Sequence, residues 1–512
     1  MRCRFFYFLK ILKKIFSYFS CTYAFFFVPL RVFLKQNKFM KTFQDRIKEV
    51  TTKGWIACGV WCTIYIAFVI WVAWGDWASL GWIVLLPIIA DIFTTKYIPW
   101  NWWKKYKPLT KEEEAEGKQN PHANATLYTI CSWIDAILFA LIAVYFINVY
   151  IFQNYQIPTS SLEKTLRVGD FLCVNKMSYG ARVPNTPLSM PLVQHTFPWG
   201  SKSYIENPQW EYKRLKGWDK VEKGDIVVFN FPAGDTVCTK AQNTDYYTLC
   251  HYYGKETVDT RKDIFGNIVV RPVDRRENYV KRCVGTPGDS LQIIDNVIHI
   301  NGTAEPRHPY LQYNYIVKTD GTVLSYKYLA KLGISKEDYN DGKSNDPSTY
   351  LLPLTKAMKD ELEKNSHIVS IEIEPEISEL REGNNTKLIP TGGDVYPLGN
   401  NRWTRENYGP IYIPAKGDTI MITEDNFWLY KRIADAYESK PIKIGEPYVF
   451  EMDYYWMMGD NRHKSADSRY WGFVPEDHIV GRPMFVWLSI DKDKTWGDGH
   501  IRWNRIGLSN FE

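Results

Sequence analysis

Paired CxxC motifs are missing from this chain. Nine cysteines occur in 512 residues, yet no two CxxC motifs stand near each other, which argues against a zinc site. Cys58 and Cys62 share one apolar run and Cys131 lies in another. Cys238 and Cys250 bracket a polar loop; an oxidising compartment would permit a disulfide there, and nothing in the sequence compels one. Histidine is scarce too, with nine in all, and none accompanies a GxSxG pattern, so that serine hydrolase motif has no footing. Acidic residues are absent from positions 1–40, which hold eight Lys and Arg. With that segment set aside, the formal charge of +6 disappears, and no nucleic-acid-binding body is implied. No internal repeat is evident.

Aromatic residues, by contrast, are abundant: 20 Trp, 34 Tyr and 26 Phe, a content that suits β-rich packing and membrane interfaces. The length allows two or three packed units. Three segments read as membrane spans, at about 54–75, 78–95 and 126–152. The first carries no charge and is long enough to cross a hydrocarbon core of about 30 Å. Asp91 interrupts the second near its end, and Asp135 lies early in the third. Trp and Tyr cluster at the boundaries as interfacial anchors. Arg46, Lys48 and Lys53 precede the first span, and the 96–125 loop contains Lys104, Lys105, Lys107, Lys111 and Lys118, whereas the 75–79 turn has neither Lys nor Arg. The positive-inside rule therefore places the basic 1–53 segment and the 96–125 loop in the cytoplasm, and everything after Phe152 outside. A buried helical hairpin of a soluble protein is the competing account of two such segments. Residues 1–39 fit either a segment lying flat on an anionic membrane surface or a stretch ahead of a start at Met40, and no function is attached to them. They do not look like a cleaved signal peptide, since Arg31, Lys35 and Lys38 follow the apolar run.

The exported body is expected to be mainly β. Asp225–Phe231, Ile268–Arg271, Tyr279–Val284, Ser290–Ile300, Asp418–Ile422 and Met484–Ser489 are short runs rich in β-branched and aromatic residues, most of them bounded by turn formers. Residues 153–302 and 446–512 form the expected core. Residues 303–445 are less regular, with a helix predicted at Pro353–Lys364, and are expected to be an insertion packed against that core.

Three stretches carry chemical specificity: QIPTSSLEKTLRVGD from Gln156, NYVKRCVGTPGD from Asn278, and MMGDNRHKSADSRYWGFVP from Met457. A serine hydroxyl becomes a nucleophile when a base takes its proton, and a lysine kept neutral by burial can be that base. On a β-strand, Tyr279, Lys281 and Cys283 would face one way and Val280, Arg282 and Val284 the other. Apolar surroundings would lower the pKa of Lys281. The plain alternative is a surface strand with a solvated Lys-Arg pair.

Together these stretches resemble the signature boxes of bacterial type I signal peptidases, Ser/Lys membrane proteases that remove signal peptides. The family's serine box reads IPSGSM, two variable positions, then TL and GD; Ile157 to Leu166 keeps that frame, and counting from Pro158 and from Thr165 selects Ser161. The resemblance implies Ser161 as nucleophile and Lys281 as general base. It implies that Thr159, with the backbone N–H of Ser161, stabilises the oxyanion, and that Ser465 orients the lysine amine. Asp460, Asp467, Arg282 and Arg469 become the supporting ion pairs, and Ile157, Pro158, Leu162 and Tyr279 the substrate-facing residues. A further match, Lys223 to Phe229, is a strand under the site.

The implied fold is a set of N-terminal transmembrane helices followed by an exported antiparallel β-sheet catalytic domain with a large insertion. The implied setting is the bacterial inner membrane, multi-pass, with the catalytic domain on the periplasmic side. The implied partners are the signal peptides of secretory preproteins, the lipid bilayer and a nearby secretion translocon, with no nucleic acid, metal or cofactor. Leu162, Lys164 and Ser160 depart from the usual Met, Pro and Gly, and His463 and Lys464 stand where acidic or amide residues are common. Lys164 also creates an S-x-x-K with Ser161, the nucleophile motif of penicillin-binding proteins, although the downstream elements of that chemistry are missing. A catalytically degenerate, membrane-tethered binding protein is the remaining alternative.

Overall fold

In a computed structural model, residues 45–72, 86–94, 102–375, 377–382, 385–390, 394–400 and 402–511 are described. The chain divides into two compact units, residues 1–142 and 143–512. In the first, α1 (Thr52–Val72) covers most of the first expected span, and its Trp61 ring stacks on Phe93 of α2 (Leu86–Phe93). The eight residues of α2 measure only about 12 Å, and residues 73–85 of the two expected spans lie outside the described ones. A 26-residue helix, α3 (Ala125–Tyr150), runs from the first unit into the second. Among the described residues it is the one helix long and apolar enough to cross a membrane. Residues 1–44 also lie outside the described ones.

The second unit is mainly β. Among its strands are β1 (Phe152–Gln156), β2 (Asp170–Asn175), β3 (Ile226–Asn230), β4 (Asn278–Gly285), β5 (Ser290–Ile294), β6 (Val297–Ile300), β7 (Gln312–Thr319), β8 (Thr349–Thr355), β9 (Ile368–Ile373), β10 (Tyr408–Tyr412), β11 (Tyr454–Met458), β12 (Val474–Pro475) and β13 (Ile479–Ser489). A curled antiparallel sheet of seven strands, in the order β1-β2-β13-β3-β4-β11-β12, positions the site. Bulges between β2 and β13, and between β4 and β11, supply local bending.

Strand β3 shows how sequence becomes layer. All five of its residues are buried, because the sheet is covered on both faces. Ile226 and Val228 join Leu172, Val174, Val280, Val480 and Val486 on the inner side. Val227 and Phe229 pack with Cys283, Met457 and Trp471 on the other.

Residues 303–445 divide in two. The first part has its own sheet, β8-β7-β9, over a core of Val317, Leu329, Leu352, Leu354 and Leu362. The helix expected at Pro353–Lys364 is present as Lys356–Leu362, started by Thr355 Oγ1 accepting from Met358 N at 3.2 Å. Pro353 itself belongs to β8. The second part joins the main body: β10 pairs with β5, and Tyr408, Ile411 and Tyr430 share a core with Leu291, Trp456 and Phe473. Cys238 and Cys250 are free thiols, and Cys238 is buried against Leu249, Val258 and Phe265. The disulfide left open by the sequence is not formed.

Candidate active site

The serine segment is the connection between two paired strands. Gln156 of β1 lies opposite Phe171 of β2, and Ile157 N to Asp170 O (2.8 Å) and Gly169 N to Ile157 O (2.9 Å) close the neck. Within the loop, Ser160–Leu162 form one 3-10 turn that Thr159 enters from an extended conformation. In such a turn successive side chains point about 120° apart. Thr159 and Pro158 are exposed, whereas Ser161 is buried.

Leu162 and Ile157 are rotated inward, 1% and 3% exposed, into the apolar cluster of the inner sheet face. There they anchor the loop. Pro158 keeps an outward position. Tyr279 is half-buried, stacked on Phe231 with ring centroids 4.4 Å apart.

Lys281 lies on β4 opposite Val227. Its Nζ donates to Ser161 Oγ at 2.6 Å, and only about one twentieth of the residue is exposed (5%). Burial pushes the amine down to about 8, assisted by Arg469 and opposed by Asp467 and Asp460. Those carboxylates are themselves neutralised by arginine. Arg282 forks onto Asp460, Nε to Oδ1 and Nη2 to Oδ2, both at 2.9 Å. Arg469 forks onto Asp467 at 2.9 and 2.8 Å. Burial alone would raise both acids, but the bidentate arginines hold them below the ordinary carboxylate range. Paired in this way, they restrain the lysine amine from losing its proton less than two bare charges would.

Several contributors were not assigned roles from sequence. Asn461 N donates to Ser161 O at 3.0 Å and its Nδ2 to Ser160 O at 3.3 Å, pinning the nucleophile's turn to the third stretch. Thr165 Oγ1 donates to Asp460 Oδ2 at 2.7 Å, which ties the first stretch to the third and, through the Asp460–Arg282 pair, to the second. Gly459 allows the close approach: a Cβ there would meet Ser465 Oγ at 2.2 Å and Ser161 O at 2.6 Å. Ser465 Oγ is buried within the site and has no hydrogen-bond partner, so the expected bond to Lys281 is not made. Asn461 and Thr165 were visible in the quoted boxes; their roles depend on contacts across about 300 positions of chain, which no local pattern encodes.

Lys164 points elsewhere. Its backbone takes a positive φ of 76°, and its Nζ donates to Gly333 O at 2.5 Å. The 3-10 turn ends at Leu162, so the helix an S-x-x-K nucleophile needs is absent. The penicillin-binding alternative is overturned on that geometry. Among the described residues no group of three or more His, Cys, Asp or Glu is placed to hold a metal ion.

The family model "Signal peptidase, peptidase S26" matches residues 130–402 and 415–488, a span that contains Ser161, Lys281 and the supporting ion pairs. The chain belongs to this family. Its relatives include Signal peptidase I of Buchnera aphidicola subsp. Acyrthosiphon pisum, 26% identical over 372 residues, which cover 72% of this chain and 77% of that protein. Signal peptidase I of Haemophilus influenzae is 23% identical over 406 residues, 77% of this chain and 82% of that one. Signal peptidase I of Helicobacter pylori is 22% identical over 371 residues, 71% and 83% of the two chains.

As a signal peptidase hydrolase, this chain departs from the family pattern at Lys164, His463 and Lys464, three positions that share one physical explanation: they fasten the β7–β9 region. Besides Lys164 on Gly333, Lys464 Nζ reaches Asp338 Oδ1 at 2.7 Å. The fully buried His463 ring lies 3.3 Å from Glu374 and 3.2 Å from Glu406. Gln312 of β7 bridges the same loop through Gln312 N to Asp460 O and Arg462 N to Gln312 O, both at 2.9 Å.

Proposed function

We propose that this signal peptidase is a membrane-bound serine endopeptidase that removes N-terminal signal peptides from translocated preproteins with a Ser161–Lys281 dyad. The observation that carries the reading is the 2.6 Å contact between a buried lysine amine and the Ser161 hydroxyl. Neutral Lys281 takes the hydroxyl proton as Ser161 Oγ attacks the scissile carbonyl. The negative charge on that oxygen is met by the backbone N–H of Ser161 and the exposed Thr159 hydroxyl. Protonated Lys281 then gives its proton to the leaving amine, and a water activated by the same amine releases the acyl group from Ser161. Ser465 Oγ, buried and without a partner in the site, is the group that would orient the amine.

Strand β1 is an edge of the seven-stranded sheet. An extended peptide adds there by main-chain hydrogen bonds, with Pro158 and Tyr279 beside it and small residues at its −1 and −3 positions. The setting is a multi-pass protein of the bacterial inner membrane with a cytoplasmic N-terminus, near the translocon, with Ser161 on the periplasmic side. No cofactor takes part.

The test is cleavage of a purified preprotein in detergent by wild type and by Ser161→Ala, Lys281→Ala and Lys164→Ala, each checked for folding. Ser161→Ala and Lys281→Ala are expected to lose on the order of 10⁴-fold or more in kcat, with Lys164→Ala active. A wild type that binds signal peptide and cuts nothing would replace this reading with a tethered binding protein.

A further inference from the structure

On the inner face of the curled sheet, strand after strand turns from apolar to polar toward the same end. Ile157 and Tyr155 lead back to Gln153, Leu172 and Val174 lead on to Lys176, Ile226 and Val228 to Asn230, and Val280 back to Asn278. The polar ends converge on a cavity of about 280 Å³, walled on one side by Asn148 and Val149 from the last turn of α3. The chemistry proposed for Ser161 uses none of these groups.

Cations outnumber acids on the wall of this cavity. Lys176, Arg182 and Arg275 line it with one carboxylate, Asp274, while Asp477 stands behind Arg182, which donates to its backbone carbonyl. Both guanidinium groups are held in place. Arg182 Nη2 donates to Asn230 Oδ1 at 2.7 Å, and Arg275 donates to Thr186 Oγ1 at 2.7 Å and Ser189 Oγ at 2.9 Å. Asp274 Oδ2 is engaged by Thr186 N and Oγ1, each at 2.9 Å, and lies 3.5 Å from Arg275. Among the described residues the Lys176 amine has neither a hydrogen bond nor an ion pair. Burial, with repulsion from Arg182 and Arg275, pushes it down to about 7 against the pull of Asp274. An anion entering the cavity would supply the missing charge partner.

We propose that this cavity binds a phosphate group through Lys176, Arg182 and Arg275. Three converging cations with fixed N–H donors suit a tetrahedral oxyanion better than a planar carboxylate, and the volume leaves space for an ester substituent. Because one wall is the end of a helix long and apolar enough to cross a membrane, a phospholipid headgroup is the natural source. A soluble phosphate ester presents the same chemistry.

The experiment uses the full-length protein in detergent and measures binding by native mass spectrometry and by the shift in melting temperature. The probes are phosphatidylglycerol, inorganic phosphate and, as a control, uncharged diacylglycerol. Wild type is expected to retain phosphatidylglycerol; Lys176→Met and Arg275→Gln each weaken it about tenfold or more, the loss of one charge-assisted contact. Lys176→Arg restores it, and cleavage of a soluble peptide by Lys176→Met stays at the wild-type rate. Weakening confined to phosphatidylglycerol identifies a lipid site, and equal weakening for inorganic phosphate identifies a site for soluble phosphates. If the variants match wild type with both probes, or diacylglycerol binds as well as phosphatidylglycerol, the proposal is wrong. Should the variants not fold, a photoreactive phosphatidylglycerol headgroup on wild type decides the matter: labelling within residues 176–194 or 274–278 supports the site, and labelling elsewhere overturns it.

Discussion

Lys281 carries the cost and the benefit of the site in one side chain. As the proposed base it must be neutral, so kcat/KM is expected to rise about tenfold per pH unit below about 8 and to level off above it; a pH–rate profile on a soluble peptide checks this. Stability runs by the same shift. The folded amine sits near 8 and the ordinary lysine value is 10.5, so the folded state binds fewer protons between those values. The destabilisation is therefore present in full below about 8 and fades as pH climbs toward 10.5. Lys281→Met should abolish cleavage while raising stability at neutral pH by up to about 3 kcal/mol, read from urea unfolding with and without the substitution. Arg282→Met has the opposite effect. It leaves Asp460 buried without its guanidinium, a change that costs about 3–5 kcal/mol, measurable in the same titration. From sequence, Ser161 and Lys281 could be picked out because a short box frames each of them. The inward turn of Leu162 could not, since an apolar residue beside a nucleophile fits a substrate pocket and a core equally well until the 3-10 turn is known.

Among the elements, the β7–β9 sheet was the hardest to read. Ile316 and Leu351 break the alternation of its strands, and its pairings join segments tens of residues apart. The pairing of β10 with β5 bridges more than a hundred residues, which is why 303–445 looked like one insertion. By contrast, β3 announced itself as an unbroken apolar run. The unusual residues His463, Lys464 and Lys164, which looked like drift in the catalytic boxes, are fasteners for β7–β9. His463→Ala should lower kcat with little change in KM, because it loosens the loop that holds Asn461 against Ser161. Limited proteolysis is expected to cut β7–β9 faster in that variant. Low pH should loosen the same region in wild type. Burial tends to raise the Glu374 carboxyl, but His463 and Arg405 bring it down to about 2, so its contribution is present above the ordinary glutamate value and is lost as pH falls toward 2.

At the scale of the whole molecule, the aromatic and apolar N-terminal region suggested three spans, and only α3 among the described residues has both the length and the composition of one. Composition signals a membrane well; the reach of the first two expected spans turns on residues 73–85, which lie outside the described ones. The end of α3 is a more consequential feature. A single residue, Ile151, separates it from β1, and β1 is tied along its whole length to β2. Four Gly-Ser residues inserted after Ile151 should slow cleavage of a membrane-anchored preprotein in vesicles while leaving a soluble peptide unaffected. We propose that so short a junction lets the chain act as a ruler, by which a substrate is chosen for how far its scissile bond stands from the end of α3 as well as for the side chains around it.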